Sequence, residues 1–306
     1  MRLPASLRKP LGIAIRGIAG TPDASIDSIR AVSGGCINNG ARLESGGRSY
    51  FLKWNAAAPT GMFVAEADGL THLRRAASEA GGDRGPRVPR PLALSEDGDG
   101  PSWLLMEWLE PTSPEADSDA RLGRALALLH DAEAGDDFGW PESNWIGSLP
   151  QRNALTDSWG AFWCEQRLLP QLDAARARGF LAGRTLDEVI DRTPTALEGI
   201  GPPSLLHGDL WSGNTFVTEG GRPALVDPAV YRGHAEVDLA MTELFGGFGP
   251  DLYEAYGELR PIGRGYRAYR RDLYQLYYLL VHVNLFGGAY VPGTEAAAAR
   301  VLAALG

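Results

Sequence analysis

Apolar residues recur along this chain with two periods, and the period changes as the chain proceeds. In Ile26–Val32, Asn38–Glu44 and Ser49–Trp54 they alternate with polar ones. Such alternation predicts strands with one buried face. Gly34-Gly35 and Gly46-Gly47 fall between these segments and suit antiparallel turns. Met62 to Ala77 switches to helical spacing, with Phe63, Ala67, Leu70 and Leu73 on one stripe. Pro86 to Pro91 breaks that helix. Leu92–Ser95 and Ser102–Trp108 read as two more strands, and residues 3–17 as a short amphipathic helix ahead of the sheet.

Beyond Pro111 the spacing is mostly helical. Helices are predicted over Ala120–His130, Ser158–Arg178, Leu186–Leu197, Val237–Phe245, Asp251–Tyr256, Tyr266–Phe286 and Thr294–Leu305. One segment departs from this. Thr215-Phe-Val217 and Ala224-Leu-Val226 flank Glu219-Gly-Gly-Arg222, the pattern of a hairpin with a glycine turn. The whole predicts an α+β protein in two parts: an antiparallel sheet with one main helix, then a mainly α-helical part. Sheet gives way to helix at Glu107–Thr112, which divides the chain into residues 1–108 and 109–306.

Composition adds bounds. With 306 residues, 44% hydrophobic and 22% charged, the chain can bury a substantial core. A net charge of −9 argues against a nucleic-acid partner and is compatible with an amine-bearing one. No apolar run is long enough to span a bilayer. Arg16 interrupts Leu11-Gly-Ile-Ala-Ile15 too soon for a signal peptide. Cys36 and Cys164 make no disulfide framework, so a reducing cytoplasm is the expected compartment.

The chemistry concentrates around the predicted hairpin. His207-Gly-Asp-Leu-Trp-Ser-Gly-Asn214 reads H-x-D-x-x-x-x-N, and Asp227 follows thirteen residues after Asn214. Kinases of the bilobal protein-kinase-like fold place a general base, a metal-binding Asn and a metal-binding Asp in this order. Asp209 is the candidate base, positioned to orient a hydroxyl and take its proton. Asn214 and Asp227, at adjacent strand ends, are the candidate ligands of Mg2+. His207 is read as a brace for the loop. Asp238, at the start of the next helix, would accept bonds from the catalytic-loop backbone or serve as a plain N-terminal acid.

Lys53 ends the strand Tyr50-Phe-Leu-Lys-Trp54, and Glu66 lies thirteen residues on in the first main helix. A strand Lys fixed by a helix Glu suits the α- and β-phosphates of ATP. In the loop Ser33–Gly40, the residues Gly34, Gly35, Cys36 and Asn38 could offer backbone N–H groups to phosphate. The same loop also reads as an ordinary hairpin turn. Backbone groups near Glu107 and Leu109, with Met106 behind, are placed to meet an adenine edge.

With these residues in view, the chain resembles the fructosamine-3-kinase, or ketosamine-3-kinase, family, a branch of the aminoglycoside-phosphotransferase-like kinases. The resemblance rests on Gly34-Gly-Cys-Ile-Asn38, Phe51-Leu-Lys-Trp-Asn55, Asn144-Trp-Ile-Gly147, Gln151-Arg-Asn153, His207 to Asn214, Asp227-Pro-Ala-Val-Tyr231 and Leu276-Tyr-Tyr-Leu-Leu-x-His282. It covers nearly the whole chain. Trp211 separates it best, because aminoglycoside-type kinases share H-G-D and Asn but generally lack H-G-D-L-W-S-G-N. The resemblance implies ATP- and Mg2+-dependent phosphorylation of the sugar 3-hydroxyl of ketosamines, followed by loss of the unstable 3-phosphate from the amine. The acceptor would be a small ketosamine or a glycated protein lysine. Arg232 stands where the family usually has an aromatic, and Asp238 where many members have Glu.

Trp211 is placed to stack on a sugar face beside the base. His282, Asn284 and Tyr290, on or just after a helix, are candidates for the acceptor pocket. Cys36 carries two readings: a redox thiol able to link two chains as a dimer, and a small loop residue of a monomer. Two rival functions remain at this level. One is a phosphotransferase of the same fold acting on an aminoglycoside or other amino-sugar. The other is a non-catalytic nucleotide-binding or redox-sensing module.

Overall fold

The computed structural model describes residues 3–32, 37–96, 100–132 and 135–306. The N-terminal part is a five-stranded antiparallel sheet of β1 (Ser28–Val32), β2 (Asn39–Ser45), β3 (Arg48–Asn55), β4 (Pro91–Ser95) and β5 (Ser102–Glu107). Its strand order is β1-β2-β3-β5-β4. Helix α1 (Ala5–Ala19) covers one face and α2 (Met62–Gly81) the other. Leu7, Leu11 and Ile15 of α1 recur every fourth residue and pack on Tyr50, Leu52, Trp54, Trp103 and Leu105. The alternation of a strand sends the intervening residues the other way. Lys53, Leu104 and Met106 therefore face α2, where Phe63, Leu70 and Leu73 close the core. Lys53 reaches Glu66 because a period of two puts it on the face that α2 covers.

The remainder is mainly helical. Its elements are β6 (Pro111–Thr112), α3 (Ser118–Asp131), the hairpin β7–β8 (Asn144–Ile146, Leu149–Gln151), α4 (Trp159–Phe162), α5 (Leu169–Ala177) and α6 (Thr185–Ala196). Then come β9 (Ser204–Leu206), β10 (Thr215–Thr218), β11 (Arg222–Leu225), β12 (Tyr231–Gly233), α7 (Glu236–Leu244), α8 (Pro250–Leu259), α9 (Arg271–Phe286) and α10 (Val291–Leu305). Helix α9 is the axis of this part, with Leu273 to Val281 all buried. The single helix expected over 158–178 is instead α4 and α5 joined by a π-helical turn, Trp163–Leu168. The wider turn puts Trp163, Cys164, Arg167 and Leu168 all inside. Another π turn, Tyr266–Arg270, leads into α9.

The predicted hairpin is β10–β11, with Thr215 opposite Leu225. The two- and three-residue strands β6, β7, β8, β9 and β12 were not anticipated, being too short to show a period. They matter all the same. β12 pairs with β9 and holds the segment after Asp227 beside the segment before His207. β6 joins β10. No helix among the described residues is long and apolar enough to cross a membrane.

Candidate active site

Strand β9 delivers the chain into His207-Gly-Asp209, and Asp238 of α7 fixes the backbone there. Its carboxylate, fully buried, receives the N–H groups of His207 at 2.8 Å and Gly208 at 2.9 Å, and faces His130 Nε2 at 3.1 Å. Burial works to raise the Asp238 pKa. The bonds and charge of His130, His207 and the backbone outweigh it and hold the carboxyl below its ordinary value. Gly208 has φ of +80°, and a Cβ on it would sit 2.1 Å from the Ala229 carbonyl. Only glycine tolerates both the angle and the approach. Tyr278 of α9 donates to the Gly208 carbonyl at 2.8 Å.

His207 is a brace. Its Nε2 donates to the Val226 carbonyl at 2.8 Å, which makes Nδ1 the acceptor facing the Asp209 N–H at 3.3 Å. Burial lowers its pKa, so the ring is neutral. Asp209 then projects into the cleft. Burial, and next the nearby Asp227 charge, push its carboxyl up to about 7.

Asn214 closes a 3-10 turn, Ser212–Asn214, just before β10. Its Nδ2 donates to the Asp209 carbonyl and carboxylate and lies 3.4 Å from the Asp227 carbonyl, leaving Oδ1 as the acceptor it can offer. Asp227 follows β11 with φ of +55°, a left-handed angle uncommon for a non-glycine residue and often seen at functional sites. The segment behind it is tied down from several sides. Ala229 N–H donates to the His207 carbonyl, Gln151 to the Ala229 carbonyl and Asn144 to the Val230 carbonyl. Asn144 and Gln151 are motif residues with no role assigned from the sequence; their burial in a hairpin of two three-residue strands has no signature there.

Asp227 and Asn214 present two oxygen donors at the ends of paired strands. Mg2+ characteristically takes one or two carboxylates and fills its other positions with water and phosphate oxygens, so this donor set fits it. No cluster of three or more His, Cys, Asp or Glu suited to a metal occurs among the described residues.

Across the cleft, Lys53 Nζ lies 2.8 Å from each Glu66 carboxylate oxygen and 3.0 Å from Asp227 Oδ1. Burial alone would lower the Lys53 pKa. Asp227 and Glu66 more than offset it and keep the ammonium charged.

Asn38, Lys53, Glu66, Met106, Glu107, Leu109, Asp209, Trp211, Asn214, Asp227, His282 and Tyr290 all line one cleft of about 810 Å³. Gly34, Gly35 and Cys36 lie outside the described residues. The Glu107 N–H donates to the Arg90 carbonyl, and its carboxylate turns to Arg74 and Arg87. One expectation needs revising. Asn284 is buried and donates to Gln171, away from the cleft. Trp211 lies over Gly213, where a Cβ would sit 2.4 Å from the indole. Phe245 and Phe286, for which the sequence suggests no site role, also line the cleft.

The fructosamine kinase family profile matches residues 17–304. The chain belongs to that family. It is accordingly an ATP-dependent phosphotransferase of the bilobal protein-kinase-like fold. A relative from Synechocystis named a probable ketoamine kinase is 45% identical over 275 residues, 87% of each chain. A chloroplastic protein-ribulosamine 3-kinase of Arabidopsis thaliana is 38% identical, over 87% of this chain and 79% of that one. A solved structure from Haemophilus somnus, provisionally named a fructosamine-3-kinase, superposes with a TM-score of 0.84 at 27% identity, covering 95% of this chain and 96% of the other.

Proposed function

We propose that this family member phosphorylates the sugar 3-hydroxyl of ketosamines, the adducts of amines with glucose or ribose, and so leads to their deglycation. The observation that carries the reading is the convergence of Asp209, Asn214, Asp227 and Lys53 on one cleft, with Trp211 beside the base. The relatives' names give the acceptor class.

In this reading residues 1–108 form the nucleotide lobe and residues 109–306 the catalytic and substrate lobe. Lys53, held by Glu66, binds the α- and β-phosphates of ATP, and Met106 and Leu109 line the base end. Asn214 and Asp227 would hold Mg2+. When bound, that ion supplies positive charge against the phosphate oxygens. Asp209 orients the acceptor hydroxyl and takes its proton as the oxygen bonds to the γ-phosphorus and the bond to the departing ADP breaks. Trp211 offers an apolar face to the sugar ring. The finer expectations, a cytoplasmic setting and an acceptor that is either a free ketosamine or a glycated lysine, go with this reading.

The test is substrate-dependent ADP release with ribulosamines, fructosamines and aminoglycosides, the phosphorylated position being read by mass and NMR. Release with ketosamines and a phosphate on oxygen 3 supports the proposal. Release with aminoglycosides alone overturns the acceptor assignment. None with any acceptor overturns the enzymatic reading.

A further inference from the structure

The far end of the cleft from Lys53 is built of rings. His282 on α9 has ring centroids around it at 4.6 Å (Phe245), 5.0 Å (Tyr290) and 5.4 Å (Phe286). The histidine's tautomer is fixed. Its Nδ1 lies 2.8 Å from the Tyr278 carbonyl, which can only accept, so Nδ1 carries the proton and Nε2 is a lone-pair acceptor. Burial lowers its pKa, which keeps the ring neutral.

Charge at this end is as informative. The carboxylates among the described residues of the cleft are Glu66, Glu107, Asp209 and Asp227. Glu66 is held by Lys53, Glu107 by Arg74 and Arg87, and Asp209 and Asp227 stand at the phosphoryl-transfer end. None belongs to the ring cluster. A neutral acceptor nitrogen among aromatic rings, without a counter-carboxylate, suits a single cation that also has an N–H to give.

We propose that His282, Phe245, Phe286 and Tyr290 form the subsite for the acceptor's ammonium nitrogen, a secondary alkylammonium that donates to His282 Nε2 and rests against the three rings. The proposal rests on the ketosamine reading above. One helix serves both ends of the cleft. Tyr278, which bonds the Gly208 carbonyl next to the base, precedes His282 by four residues, about 6 Å along α9. In a ketosamine the nitrogen is four bonds from oxygen 3, and tetrahedral angles shorten four bonds of about 1.5 Å to an extended span of about 5 Å. Polycationic amino-sugars bring further charges that this end has nothing to pair with. The subsite thus selects a monocationic adduct.

The experiment compares two acceptors: the ribulosyl adduct on the side-chain nitrogen of Nα-acetyl-lysine, and the same molecule with that nitrogen acylated and neutral. Wild type should show a KM about tenfold higher for the neutral analogue. In His282→Phe and Phe286→Leu the KM of the ammonium acceptor should rise about tenfold, with kcat and the KM for ATP little changed, and the preference for charge should shrink. Phe286 is 51% exposed, so its variant does not put the fold at risk. If wild type uses ketosamines yet both variants keep the full preference for the charged acceptor, the subsite is wrong and the ketosamine reading stands. If wild type turns over no ketosamine, that reading falls and the subsite with it.

Discussion

Asn214 holds Asp209, the proposed base: its Nδ2 donates to the Asp209 carbonyl at 2.8 Å and to the Asp209 carboxylate at 3.2 Å. One side chain thus orients Asp209 and still has an oxygen free of these bonds. Asp209→Asn keeps the shape of this contact but removes the proton acceptor. Turnover should fall by about 10² to 10⁴, the usual contribution of a positioned base, with ATP affinity largely kept. Steady-state rates beside nucleotide titration check this, and near-normal turnover would take Asp209 out of the mechanism.

Lys53 and Glu66 are only 8% and 9% exposed at their side chains. Lys53→Met strands Glu66 and leaves it facing Asp227. The expected cost is about 3 kcal/mol of stability, together with loss of activity, because removing one partner of a buried pair leaves an uncompensated charge. Adding Glu66→Gln should recover most of the stability and none of the activity. Urea unfolding of the single and double variants decides it, and a double variant no more stable than the single would refute the account.

These residues were legible because their signals are local. Strand alternation put Lys53 on the α2 face, and motif spacing picked out Asp209, Asn214 and Asp227 around a recognisable hairpin. Asn284 was misread for a geometric reason. Two residues after His282 on a helix is a rotation of roughly 200°, so the two side chains cannot share a face. Phe245 and Phe286 sit at helix ends more than 40 positions apart, and nothing local marks either as part of a pocket. The Asn144 and Gln151 amides are positioned by tertiary contacts alone.

Cys164 should be an inert thiol. Burial pushes it up to about 12, and its Sγ donates to the Ile190 carbonyl. At pH 8 almost none is thiolate, the reactive form. A Cys36→Ser protein should therefore take up iodoacetamide only on unfolding, where the thiol regains an ordinary pKa. Rapid labelling of the native variant, followed by intact mass, would contradict this.

His234 links the fold to pH. Burial, and then the charges of Arg270, Arg260 and His130, lower its pKa to about 3. The folded value lies below the unfolded one of about 6.5, so acid favours the unfolded chain, which alone takes the proton. The stabilising effect of keeping this ring neutral is complete above about pH 6.5. It is lost as pH falls toward 3, at about 1.4 kcal/mol per pH unit. His234→Gln should flatten the acid limb of the stability profile by about one proton between pH 6 and 4. Urea midpoints across that range measure it, and an unchanged slope would mean the ring is protonated in the fold.

The two-residue strand β6 pairs Thr112 with Val217 and Pro111 with Thr218, while the Arg87 backbone bonds Pro223 and Leu225 on the other strand of the same hairpin. The chain passing between the lobes and the loop ahead of β4 therefore both grip the hairpin that carries Asn214 and Asp227. The ends of the hairpin, where Asn214 and Asp227 sit, are thereby anchored by backbone bonds along both of its strands.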